Sequence, residues 1–179
     1  RKYYGAKIIP NRGAWLEIET DANKVIWVRI DRKRKVAFTS LLRAFGYSTD
    51  ESLKELFKDI DIVRKGEDEQ TFIEATIAKD VAHNEEEGLE EVYKKIRPGD
   101  LANPENAKSL IYSMFFRFDR YDFGRVGRYK LNRRFGEGLP VNKETRVLRR
   151  EDLVNIVREV MRLNITQEPE DDIDHLSNR

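Results

Sequence analysis

A chain of 179 residues with 39% hydrophobic and 37% charged side chains has material for one modest core. Its 34 Lys and Arg against 33 Asp and Glu leave a formal net charge of +1, so only the distribution of charge, not its total, can speak about partners. The absence of cysteine excludes disulfides and thiolate chemistry, and no run of residues reads as a membrane span or a signal peptide.

In chain order, residues 2–10 read as a first strand. Leu16 and Ile18 then alternate with Trp15, Glu17 and Glu19, and Ile26, Val28 and Ile30 alternate with Val25, Trp27, Arg29 and Asp31. Period-two patterning of this kind predicts a hairpin with one aliphatic face and one face carrying charges and both indoles. Keeping both aliphatic sets on one face requires an odd-length loop. Ala22-Asn23-Lys24 supplies it, with Asn23 the residue expected to take a positive φ. That register puts Trp15 opposite Asp31, Glu17 opposite Arg29 and Glu19 opposite Trp27. Val36-Ala37-Phe38 is a candidate extension of the sheet.

Beyond it the pattern turns helical. Thr39 or Ser40 can cap a short helix through Leu41, Leu42 and Phe45 that Gly46 stops, and Ser48 with Glu51 reads as a capping box before Leu53, Leu56, Phe57 and Ile60. Phe72, Ile73, Thr76, Ile77 and Val81 suggest another helix. Asn84 caps one that buries Leu89, Val92, Tyr93 and Ile96, ending at Pro98-Gly99. Asn103-Pro104 opens a further helix. Residues 119–134 read as a turn and short helix, 136–147 as a loop or small hairpin, and Leu153 to Met161 as the last helix. The expectation is an α+β fold: a small antiparallel β-meander (2–38), a helical part (39–165) and an exit segment (166–179), forming one domain.

The chemistry-bearing groups are few. Asp171, Asp172 and Asp174 read either as Mg2+ ligands or as an acidic segment that pairs with basic neighbours. His83 and His175 have no ligand spacing, and no phosphate loop, nucleophile elbow or HExxH motif is present. No catalytic site can be assembled. Basic residues gather at 29–35 and 117–134. In the second run Arg117, Arg120, Arg125, Arg128, Lys130, Arg133 and Arg134 mix with Phe116, Tyr121, Phe123 and Tyr129. Two readings stand: a solvated helix face with arginine stems over core aromatics, or a surface that tracks phosphates. Trp15 likewise reads either as an indole lying flat on the sheet or as a platform for a nucleobase.

The stretches IIPNRGAWLEIE, VIWVRIDRKRK and TSLLRAFGYST, followed in order by IRPGD, NPENAKSL, FDRYDFGRVGRYKLNRR and DDIDHLSNR, resemble the lobe domain of the bacterial RNA polymerase β subunit. The resemblance is weakest over 60–83 and 135–148. It implies a non-catalytic jaw that clamps downstream DNA and reads the non-template strand of the transcription bubble. It also implies residue roles. Trp15 would stack on a non-template base, and Asp174 would accept hydrogen bonds from the edge of a flipped guanine. Arg179 would line the same pocket, Asp31 and Arg32 would flank it, and Arg97 and Arg120 would lie nearby. Ser177 stands where the family more often has glycine.

The partners implied are DNA, the other polymerase subunits, sigma factor and transcription regulators, for which the acidic helix over 85–95 offers a docking face; no membrane is implied. The resemblance places no cofactor in this stretch, with Mg2+ and a candidate Zn2+ held elsewhere in the parent polymerase. With Arg1 inside an apparent strand and Arg179 inside a motif, the chain reads as a piece of a larger cytoplasmic, nucleoid-associated polypeptide. The competing reading is a stand-alone regulator that binds single-stranded nucleic acid through a basic aromatic face.

Overall fold

A computed structural model describes residues 2–61 and 70–169. Four strands, β1 (Ala6–Ile8), β2 (Leu16–Thr20), β3 (Ile26–Ile30) and β4 (Val36–Ala37), form one antiparallel sheet in chain order. The helices that follow are α1 (Phe38–Ala44), α2 (Asp50–Phe57), α3 (Phe72–Lys79), α4 (Glu85–Ile96), α5 (Pro104–Phe116), α6 (Gly124–Phe135) and α7 (Arg150–Thr166). This is the α+β arrangement that the patterning predicts. Among the described residues no helix is long and apolar enough to cross a membrane.

The hairpin register follows from parity. Leu16 pairs with Ile30, Glu17 with Arg29, Ile18 with Val28 and Glu19 with Trp27, so the aliphatic set is buried on one face. The connecting loop differs in one respect. Lys24, not Asn23, carries the positive φ of 66°. In a three-residue hairpin loop the left-handed residue follows the turn. Asp21 pins that turn by accepting from the Asn23 and Val25 N–H groups and from the Trp27 indole. Burial alone would raise the Asp21 pKa, but those donors outweigh it and hold the carboxyl below its usual value.

The sheet's aliphatic face joins a core that runs through Phe38, Leu41, Leu53, Phe57, Val92, Phe115, Tyr121, Phe123 and Val157. Helix α4 packs along α1 and α5. Gly88 permits the first contact, because a Cβ there would stand 2.8 Å from the Ser40 carbonyl oxygen and from Arg43 Cβ.

Caps moved where hydroxyls found better partners. Thr39 and Ser40 do not cap α1; both donate to the buried Asp80 carboxylate, and Ala37 stands at the cap position. The capping box of α2 is Thr49 with Ser52, while Ser48 accepts from the Glu85 N–H. Helix α3 stops at Lys79, leaving Val81 exposed beyond it. Asn84 and Asn103 cap α4 and α5 as expected.

Candidate nucleic-acid interface

Trp15 is held from both sides by its backbone. Its N–H donates to Asp31 Oδ1, and its carbonyl accepts from the Asp31 N–H, each at 2.9 Å. Three residues earlier, Arg12 and Asp122 exchange reciprocal backbone bonds of 3.1 and 2.9 Å. The turn between these clamps requires glycine. Gly13 has a φ of 119°, and a Cβ there would meet the Arg120 carbonyl oxygen and the Tyr121 ring at 2.8 Å. The Trp15 turn is thereby seated on the Arg120–Asp122 segment.

The loop after β3 then turns back over the indole. Asp31 and Arg32 both have positive φ, 52° and 60°, and the Lys33 N–H bonds the Ile30 carbonyl at 3.1 Å. Two consecutive left-handed residues closed by an i to i+3 bond have the signature of a type I′ turn, a conformation that favours Asn and Gly. Arginine in it costs about 1–2 kcal/mol. The strain persists because Arg29 holds the turn, donating to the Lys33 carbonyl while its Nε binds Glu19. The outcome is that the Arg32 guanidinium lies 4.4 Å from the centre of the Trp15 ring. Lys35 sits in the same way over Trp27, at 4.6 Å.

Two indoles on one face are thus treated differently. The Trp27 N–H is bound by Asp21 at 3.0 Å. The Trp15 indole N–H has no acceptor among the described residues. Among the described residues Trp15 is thus a partly exposed ring with a fixed backbone, a cation on its face and an indole N–H without an acceptor.

Of the residues singled out in the sequence, Trp15, Asp31 and Arg32 form this group, and Arg120 abuts it through its backbone at Gly13. Arg97 is exposed at the C-terminal cap of α4, and among the described residues no contact links it to the group. Asp174 and Arg179, like Asp171, Asp172, His175 and Ser177, lie outside the described residues. His83 is exposed and 3.1 Å from Glu87. Among the described residues no cluster of His, Asp or Glu is placed to hold a metal ion.

The second basic run divides. Arg128 is fully buried, bidentate to the equally buried Asp152 at 2.8 and 2.6 Å and bonded to the Thr145 and Val147 carbonyls. It serves the core, not a phosphate-tracking surface. Tyr121 beside it is buried without a hydroxyl partner among the described residues; burial first and the Asp152 charge second push its pKa well up. Arg117 binds Asp119, and Arg134 lies 3.6 Å from Glu159. Arg125 and Tyr129 line an open apolar depression with Val126 and Val141.

Sequence reading missed Arg12, Phe118, Asp122, Lys143 and Arg146, which meet beside the Trp15 turn. Arg12 stood in plain view within RGAW. Lys143 and Arg146 sit in an irregular loop with no periodicity to flag them.

Comparison with known proteins supplies a family. A family model described as RNA polymerase Rpb2, domain 2, matches residues 1–179. The chain is 44% identical over 207 residues to a DNA-directed RNA polymerase subunit beta of Chloroflexus aggregans, covering all of this chain and 16% of that protein. It is 45% identical to the same subunit of Dehalococcoides mccartyi, with 96% of this chain and 13% of the relative covered. With Staphylococcus carnosus the identity is 50%, over 75% of this chain and 10% of the relative. The chain therefore spans less than a fifth of the length of these curated relatives.

Proposed function

Because the chain belongs to the RNA polymerase Rpb2 domain 2 family, as found in bacterial DNA-directed RNA polymerase β subunits, we propose that it is a non-catalytic lobe that grips downstream DNA and reads a non-template base within a cytoplasmic polymerase. The observation that carries this reading is the Trp15 group. The Trp15 backbone is clamped to Asp31 through both the Asp31 carboxylate and its N–H, on a turn fixed by the reciprocal Arg12–Asp122 backbone bonds. An indole so held, with a cation on its face and an N–H unpartnered among the described residues, is suited to exchange that cation for a stacked base. Stacking of a base on an aromatic ring contributes about 1–3 kcal/mol, against about 0.5–1 kcal/mol for a cation–π contact at an exposed site. The exchange is downhill, and the displaced Arg32 guanidinium becomes available to the phosphate of the same nucleotide.

Asp174 and Arg179 complete the pocket in this proposal, as base-edge acceptor and flanking cation. Arg97 and Arg120 belong to its rim. Helix α4 offers a separate acidic face, with Glu86 exposed, as a docking surface for sigma factor or regulators. The identity to polymerase β subunits favours this assignment over a stand-alone regulator.

The test is open-complex lifetime in a polymerase carrying this chain. Trp15→Ala should shorten it about 5- to 150-fold, the equivalent of 1–3 kcal/mol, and should flatten base preference at one non-template position. Unchanged lifetime and unchanged preference would sink the stacking role.

A further inference from the structure

Three cations converge on one ring outside the residues assigned above. The Arg12 guanidinium lies 5.2 Å from the centre of the Phe118 ring, Arg146 5.0 Å and Lys143 5.7 Å. Of the seven cation–ring approaches among the described residues, three fall on this single ring, which gathers positive charge at one place on the surface.

The carboxylates nearby do not balance it. Buried Asp122 takes Arg146 in a bidentate pair at 3.0 and 2.8 Å and reaches Arg12 at 3.8 Å. Asp119 is occupied by Arg117, at 3.1 and 2.9 Å. Glu144 makes no ion pair with the cluster, and Lys143 and Arg120 have none among the described residues. One carboxylate thus serves both Arg146 and Arg12, and Lys143 has none among the described residues. Arg12 is also half exposed, so an anion can approach.

We propose that Arg12, Lys143 and Arg146, arranged around Phe118, form a binding site for one phosphate of the single-stranded backbone next to the base stacked on Trp15. Position follows from the fold. Arg12 is three residues from Trp15 across the Gly13 turn, at most about 10 Å of chain, and the reciprocal Arg12–Asp122 bonds fix the cluster to the same turn. Chemistry follows from the groups. The Arg146 fork is taken by Asp122 and one Arg12 nitrogen by the Phe118 carbonyl, so a phosphate would meet the remaining N–H donors of the two guanidiniums and the Lys143 ammonium as a point charge. This site rests on the lobe reading above and adds a backbone contact to its base contact.

The experiment replaces single non-template phosphates by neutral methylphosphonates in a promoter bound by the polymerase carrying this chain, and reads open-complex lifetime and its salt dependence. Lys143→Ala is the variant of choice, since Lys143 is exposed and its loss leaves the Asp122 pairs intact. One methylphosphonate should shorten the lifetime in the parent and have no further effect in Lys143→Ala. The variant's log–log salt slope should be shallower by about 0.7, the value for one single-strand phosphate. In Trp15→Ala the methylphosphonate effect should persist, which separates this site from base stacking. A methylphosphonate effect undiminished by Lys143→Ala, or loss of a protein factor's binding with no change on DNA, overturns the phosphate assignment and leaves the stacking role of Trp15 standing.

Discussion

Arg32 and Arg128 come from the two basic runs and read alike in the sequence, yet they do opposite work. Arg32 is exposed on a turn with positive φ and covers an indole. Arg128 is fully buried, its guanidinium shared between Asp152 and two carbonyls. The difference lies in what the fold brings to each. A buried carboxylate 24 residues away captures Arg128, whereas the described residues bring Arg32 only a ring. Local charge density marks neither as surface or core; the distant partner decides.

The comparison breaks most visibly under truncation. Arg128→Ala leaves buried Asp152 with only the Arg149 N–H and a guanidinium 3.9 Å away, and should cost about 3 kcal/mol, read as a lowered urea midpoint. Arg128→Met with Asp152→Leu should recover part of that loss, because no charge is left stranded although the Thr145 and Val147 carbonyls and the Arg149 N–H lose their partners. Arg32→Gly should move the midpoint by less than about 1 kcal/mol. It loses a cation–π contact of about 0.5–1 kcal/mol and relieves left-handed strain of about 1–2 kcal/mol, less the entropy glycine adds to the unfolded chain. Its signature belongs instead to the emission of Trp15, which should change when the guanidinium leaves the ring.

The smallest effect sharpens the same contrast at an exposed arginine. The bidentate hydrogen bonds from Arg158 hold the Asp59 carboxyl at about 2. An Asp depressed below its unfolded value of about 3.9 stabilises the fold above that pH, and its contribution fades as pH falls toward 2. Both side chains are substantially exposed, so the pair contributes no more than about 1 kcal/mol. Asp59→Asn should flatten the acid limb of the stability profile between about pH 4 and 2.

The sequence was legible where one physical rule dominated. Parity together with the three-residue loop Ala22-Asn23-Lys24 gave the partners of Trp15, Glu17 and Glu19, because a one-residue slip would expose Ile18 and Val28 and the loop length set the rest. Asn84 and Asn103 were readable as caps, since each sits directly before a helical pattern. Legibility failed where a distant group outbid a local one. Asp80 drew Thr39 and Ser40 away from capping, and Asp152 drew Arg128 inward. The Asp31-Arg32 turn was invisible because neither residue announces a type I′ turn; Arg29 and the Trp15 backbone impose it. The Phe118 cluster joins three segments, none of which carries the others' signal.

The central claim is that a nucleobase takes the place of Arg32 on Trp15. The most direct measurement puts 2-aminopurine at successive non-template positions of the bubble and compares its fluorescence in polymerases carrying the parent chain and Trp15→Ala. The account predicts one position strongly quenched in the parent and released in the variant, with its neighbours unaffected. Identical fluorescence at every position in the two polymerases would contradict it.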